Sequence, residues 1–381
     1  MRFSALVLGA TAALATLGPS FAEDIKPEKV TAGTIPEDLK RVYLVDLAIN
    51  HIIDGRAYVL DADKLDVKGI IELGFLGLLY APPKSNKVYV ASTYYDRLTR
   101  GKRADVITIF DAGTLKPLDE IPIPNKKVQP IQYRPLFTGS ADGKFLYVQN
   151  ATPATSITIV DIAKKSSAEI PAPGSYGTYP SIGNSTHVST LCGDGTFGTY
   201  ALNAAGTEGK RQASAKLFDA DKDAWFIHGE KNGTNYNFVS FNGVITTVSL
   251  DGDQAKLVDS FPIAQGVEGD WRPGGYQPIA VDPAKGVAYV LMHSKGTEGS
   301  HKNPSEEVWS VDLKTKKVVS RSKAPPMTSL TIAADGASLF GINPLEAAVV
   351  KLAVDSGKDY AVTQGAVTKV GETASQIEVY N

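Results

Sequence analysis

Residues 92–115 read STYYDRLTRGKRADVITIFDAGTL. The second half, 106–111, alternates β-branched and aromatic residues and stops at Asp111-Ala112-Gly113, the pattern of a strand running into a turn. The first half, 94–103, reads as a polar, basic loop that no core requires. One half is therefore a structural module and the other is particular to this chain.

The module recurs. AYVLDADKLDVKGII begins at Ala57, ITIFDAGTLKPLDEIPI at Ile107 and ITIVDIAKKSSAEI at Ile157, with a degenerate copy, TYALNAAGTEGKRQASAKLF, at Thr199. TTVSLDGDQAKLVDSF follows from Thr246, VWSVDLKTKKVVSRS from Val308 and VVKLAVDSGKDYAV from Val349. A second phrase, a turn and then an expected inner strand, falls between them: SNKVYVAST at Ser85, ADGKFLYVQN at Ala141, AKGVAYVLMH at Ala284 and ADGASLFGIN at Ala334. A repeat of roughly 40–60 residues is the period of a four-stranded propeller blade. Helical periodicity is weak, and Gly and Pro punctuate the chain too often for long helices. The expected fold is an all-β, seven-bladed β-propeller spanning 41–381 as one domain, with six or eight blades as the margin. Paired sandwiches do not require a regular period, and solenoid repeats are usually shorter. Ring closure is expected to pair the strand near Val42 with a C-terminal strand at 376–380.

Residues 1–22 read as a signal peptide: Arg2 supplies the charge, 5–17 the short apolar run, and Ser20-Phe21-Ala22 the cleavage site, leaving Glu23 first. Residues 23–40 read as a flexible arm rich in Pro, Lys and Glu. No stretch of about 20 apolar residues suits a membrane span, so an exported, soluble protein is expected. Among 381 residues the net charge is −2, which argues against nucleic acid or an anionic membrane recognised by bulk charge. Lys126 with Lys127, and Lys164 with Lys165, read as surface pairs.

Few residues promise chemistry. Cys192 is the only cysteine, so no intrachain disulfide forms; it reads as a small buried residue or, less readily, a reactive thiol. The five histidines (51, 187, 228, 293 and 301) lack HxH or HxxxH spacing. His293 and His301 could share a site across the SKGTEGS loop, or be two unrelated loop or core residues. There is no GxSxG elbow, no phosphate-cradling glycine loop and no CxxC. Asp61, Asp111, Asp161 and Asp312 recur at equivalent strand ends, as turn-forming aspartates do. No catalytic residue and no metal site is expected in this chain.

YYDRLTRGKRADV (94–106), VQNATPATSITIVDIAK (148–164), LCGDG (191–195), DWRPGGYQ (270–277) and LMHSKGTEGSHKNPSEEVWSVDLKTK (291–316) together resemble the large (heavy) subunit of the quinoprotein amine dehydrogenases. The likeness leans to the aromatic amine dehydrogenase branch rather than the methylamine dehydrogenase branch. It implies a seven-bladed propeller in the periplasm, assembled as two large and two small chains. It also implies that the cofactor, tryptophan tryptophylquinone, is carried by the small, disulfide-rich subunit and not by this chain. Trp225, Trp271 and Trp309 are then structural. The implied reaction is oxidative deamination of a primary amine to aldehyde and ammonia, with electrons passed singly to a blue-copper protein of the azurin or amicyanin kind.

The resemblance also singles out Phe75 in IIELGFLGLLYAP (70–82), with Gly74 and Leu76 beside it, as the wall of a substrate channel. The following run, 76–79, is more apolar than in the aromatic branch. The family's large-subunit disulfide would join Cys192 to a cysteine near position 175, where this chain has Ser175. Arg97, Arg100, Lys102 and Arg103 are candidates for a subunit interface or for a solvated loop. The rival readings are a stand-alone exported propeller that binds a ligand or protein without the quinone partner, and a propeller lactonase with its chemistry at the central channel.

Overall fold

The computed structural model describes residues 33–83, 85–129 and 133–380. The signal peptide expected at 1–22, and residues 23–32 of the arm, lie outside the described residues. Those described form seven antiparallel sheets, six with four strands and one with five. The helical segments among them are single 3-10 turns, and none is long and apolar enough to cross a membrane. Blade 1 combines 41–74 with Ala374–Tyr380; blades 2 to 7 cover 78–123, 137–171, 175–213, 230–262, 272–323 and 329–369.

The ring closes where the sequence expects. Ala374–Tyr380 forms the innermost strand of blade 1 and pairs antiparallel with Arg41–Asp46, Val42 standing opposite Val379 and Arg41 opposite Tyr380. The last residues of the arm are docked on the ring: Ile35 is buried, and its N–H donates to the Gly113 carbonyl, 2.9 Å away.

The phrases at Ser85, Ala141, Ala284 and Ala334 supply the second strand of their blades, an inner strand paired on both sides, as expected. The innermost strands include Leu78–Tyr80, Phe137–Gly139, Ile279–Asp282 and Ser329–Ile332. Three or four residues carry too little alternation to be read as a strand.

The core lies between blades, which explains why the central strands read as continuous apolar runs. Successive side chains of a strand point to opposite faces, and here both faces meet a neighbouring blade. In Arg41–Asp46, Tyr43 and Val45 pack towards blade 2, whereas Val42 and Leu44 pack towards blade 7. In the third strand of blade 2, Ile107 and Ile109 face blade 3, and Phe110 faces blade 1. Outer strands pack less fully, so Pro117–Ile123 buries only Ile121 and Ile123. The strand-end aspartates are turn formers. Asp111 Oδ1 accepts from Gly113 N and Thr114 N at 3.1 and 2.6 Å, and Asp312 Oδ1 from Lys314 N and Thr315 N at 2.8 Å each. These N–H donors hold both carboxyls below the usual carboxylate range. At Asp61 and Asp161 burial pushes upward, but the turn N–H groups and nearby lysines outweigh it.

Candidate functional site

In an antiparallel blade, the bend between the second and third strands shares a face with the link to the next blade. Phe75 and the basic segment lie together on this face of the ring. Phe75 sits between the outermost strand of blade 1, Val67–Gly74, and the innermost strand of blade 2, Leu78–Tyr80.

The turn at Phe75 is tightly constrained. Gly74 has φ of 63°, and a Cβ on Gly77 would lie 2.1 Å from the Leu73 carbonyl oxygen, so neither position accepts a larger residue without movement. Leu76 between them is also left-handed, at φ 48°. The Phe75 N–H donates to the Thr93 carbonyl at 3.1 Å. Its half-buried ring meets Tyr95 edge-on, with centroids 5.5 Å apart, a favourable aromatic geometry.

The basic segment is not a loose loop. Lys87–Arg97 and Arg100–Asp111 continue as a hairpin whose tip pairs Arg97 with Arg100. The flanking strands stop at Ala91 on one side and Asp105 on the other, so 94–104 projects beyond the blade. Alternation continues poorly through a two-sided polar hairpin, which hid its strands from the sequence. Arg97, Arg100 and Lys102 are exposed. Arg103 points inward instead, bonding both oxygens of buried Asp105 at 2.8 and 2.7 Å and the Lys127 carbonyl at 2.5 Å.

Lys127 departs from the expected surface pair. It is 1% exposed, and its Nζ donates to the Leu76 carbonyl at 2.8 Å and the Val128 carbonyl at 3.3 Å. Burial pushes the amine down to about 7, against the pull of the Asp105 carboxylate and with the push of Arg103. Lys126 does remain at the surface, paired with Glu169 at 2.7 Å.

The same face carries a cleft of about 890 Å³ over blades 4 to 6, bordered by Tyr133, Trp225, Phe241, Arg272, Tyr276 and His301. Phe75 does not line it. Sequence reasoning missed this cleft, although two of the family-bearing stretches, 270–277 and 291–316, supply Arg272, Tyr276 and His301. Their shared location needed the fold.

At the axis, Arg134 bridges Glu230 of blade 5, in a short contact, and Glu378 of blade 1, at 2.7 Å. Burial disfavours the guanidinium charge, but the two carboxylates outweigh it and raise its affinity for the proton. Glu230 is pushed up by burial, yet Arg134 and His228 hold it below the carboxylate range. His228 is fully buried, and its Nε2 faces Glu230 Oε1 at 3.0 Å and the Ile279 carbonyl at 3.2 Å. Both are acceptors, so Nε2 carries the proton.

The other expected residues are dispersed. His293 is buried, with Nδ1 against the Ser294 carbonyl at 3.1 Å, while the His301 ring meets Phe241. Among the described residues, no three His, Cys, Asp or Glu side chains converge as a metal site. Trp225 stacks on Phe218, with centroids 4.6 Å apart. Trp271 and Trp309 lie 5.5 Å apart, each 4.6 Å from the Arg321 guanidinium. Cys192 is a buried free thiol directly opposite Ser175 in the pairing of Ser175–Pro180 with His187–Cys192, and Ser175 Oγ touches its Sγ.

Fold and site thus define a closed propeller, one face of which combines a rigid aromatic turn, a projecting basic hairpin and a broad cleft. Residues 38–370 match the family described as methylamine dehydrogenase heavy chain (MADH), and the chain belongs to that family. It is 27% identical to the methylamine dehydrogenase heavy chain of Methylobacillus flagellatus over 292 residues, covering 75% of this chain and 72% of its relative. The chain of the same description from Methylophilus methylotrophus is 26% identical over 328 residues, covering 84% and 80%. These matches lend no support to the aromatic branch suggested by the loops. Among solved structures, a periplasmic gluconolactonase of Pseudomonas aeruginosa aligns with a TM-score of 0.59 at 14% identity, over 90% of this chain and 99% of the other. A putative 6-phosphogluconolactonase of Bacteroides fragilis aligns with a TM-score of 0.63 at 13% identity, over 90% and 99%. At such identities the likeness is one of fold alone.

Proposed function

We propose that this chain is the large subunit of a periplasmic amine dehydrogenase, scaffolding a small quinone-bearing subunit and lining the path of the amine to it. The observation that carries the proposal is the family match across 38–370, which takes in every blade. In the net reaction, one primary amine and one water give an aldehyde, ammonia, two protons and two electrons, the electrons leaving singly to a blue-copper protein. The oxidising chemistry is supplied by tryptophan tryptophylquinone on the small subunit. In this chain Trp225, Trp271 and Trp309 are packed against aromatic or guanidinium neighbours, and the role assigned to them is structural.

The roles assigned to this chain's own residues rest on the family likeness, and their placement is compatible with it. Phe75, braced by Tyr95, offers the apolar tail of an amine a fixed ring to pack on, and Gly74 and Leu76 set the ring's direction. Arg97, Arg100 and Lys102 at the hairpin form a basic edge for an acidic surface of the small subunit, in an assembly of two large and two small chains. Arg103 supports the hairpin from within. The test is co-expression with the small subunit, expecting quinone absorbance and amine-dependent dye reduction. Absence of both would overturn the reading in favour of a stand-alone binding propeller. Phe75→Ala is expected to change the rank order of short and long amines while leaving the quinone absorbance intact; an unchanged order removes Phe75 from the channel.

A further inference from the structure

We propose that Lys127 is the positioning residue of the Phe75 turn, clamping it through the Leu76 carbonyl to the charged root of the hairpin. The significance for selectivity rests on the channel reading given above for Phe75; the clamp itself does not.

The turn needs an external hold. Leu76 has a Cβ and yet sits at φ 48°, a conformation strained for an L-residue that persists only where its surroundings over-determine it. Its carbonyl is held by Lys127 Nζ at 2.8 Å, from a side chain 51 residues away. Lys127 is held in turn. Its N–H donates to Asp105 Oδ2 at 2.9 Å, and its carbonyl accepts from Arg103. Asp105 also accepts from Thr93 Oγ1 at 2.7 Å, and Thr93 gives its own carbonyl to the Phe75 N–H. The two bonds that fix the turn, at the Phe75 N–H and the Leu76 carbonyl, therefore converge on one carboxylate, Asp105. A buried lysine is costly to retain, and a purely apolar residue would fill the same volume. What the amine adds is a donor at the tip of a long arm, aimed at the peptide that follows Phe75.

The test uses the assembled two-subunit complex. In Lys127→Met, deuterium uptake by peptides covering 73–80 is expected to quicken roughly tenfold, with 107–111 unchanged. The rank order of amines is expected to shift as in Phe75→Ala, and the double variant to match Phe75→Ala alone, since residues acting in series are not additive. Unchanged exchange across 73–80 overturns the proposal, as does an additive shift of rank order in the double variant. Quickened exchange together with an inert Phe75→Ala supports the clamp and overturns the channel reading instead. Should Lys127→Met fail to fold, Lys127→Gln, which keeps a polar tip but loses the reach, carries the same measurements and outcomes.

Discussion

Replacing Arg134 by Met would leave Glu230 and Glu378 facing one another at the axis without their shared cation. Their side chains are 13% and 9% exposed, and that of Arg134 is 29% exposed. Breaking a buried ion pair by removing one partner typically costs about 3–5 kcal/mol. Partial solvent access at Arg134 reduces this, so the expected loss at pH 7.5 is about 2–4 kcal/mol. The pH dependence carries a sign. In the parent protein the Glu230 carboxyl is held below its usual range, so its contribution is present above the unfolded value and disappears as pH falls through the folded one. Without Arg134, burial pushes the Glu230 carboxyl upward against the remaining pull of His228 and Lys231, so acidification relieves the variant more than the parent. Denaturant unfolding of both proteins at pH 7.5 and pH 5 should therefore show the gap narrowing on acidification. A loss under about 1 kcal/mol, or a gap of the same size at both pH values, would refute a charge bridge holding blades 1 and 5 together.

The other expectations concern single contacts. Lys127 titrates near 7 in the fold against an ordinary 10.5, so the unfolded chain binds more protons between those values and stability rises with pH there; Lys127→Met should remove up to about 1.4 kcal/mol per pH unit of that rise, read from unfolding at pH 7.5 and 9. Ser175→Cys places two thiols at directly opposed residues whose own N–H groups turn to Ala172 and Thr196; the oxidised variant should gain about 2–3 kcal/mol, and mass spectrometry before and after alkylation reads the bond. Arg97→Glu with Arg100→Glu should weaken assembly with the small subunit by about tenfold, chiefly at low salt, with the unfolding curve of the isolated chain unchanged.

The blades were legible because in four of them, blades 1, 2, 3 and 6, the third strand ends at an aspartate that caps its own turn, so Asp61, Asp111, Asp161 and Asp312 mark a period without any alignment. The ring closure at Val42 was legible for a related reason, since a propeller with free edges at both ends would leave paired strands wanting. The innermost strands were not, because residues 78–80 or 137–139 are too few to alternate. The burial of Lys127 was invisible for a physical reason too: a lysine beside another lysine reads as solvent-facing, and only Asp105 and the Leu76 carbonyl, remote in sequence, reverse that. Ser175 opposite Cys192 agrees with the position of the disulfide implied by the family likeness, although the cystine itself is lost. The broad cleft illustrates the opposite limit: its residues were conspicuous as loops, but nothing local states that 220–227, 270–277 and 291–316 meet.

Because Arg41 stands opposite Tyr380 in the first blade, the first and last strands of the ring are neighbours, and the ring as an object has no first blade. Joining residues across blade 1 with a short linker and cutting the exposed hairpin tip between Leu98 and Thr99 would preserve every inter-blade core. Such a permutant would complete blade 1 from contiguous sequence and assemble blade 2 last. The order in which the parent chain closes is thus a property of where its ends fall, and not of the architecture they close.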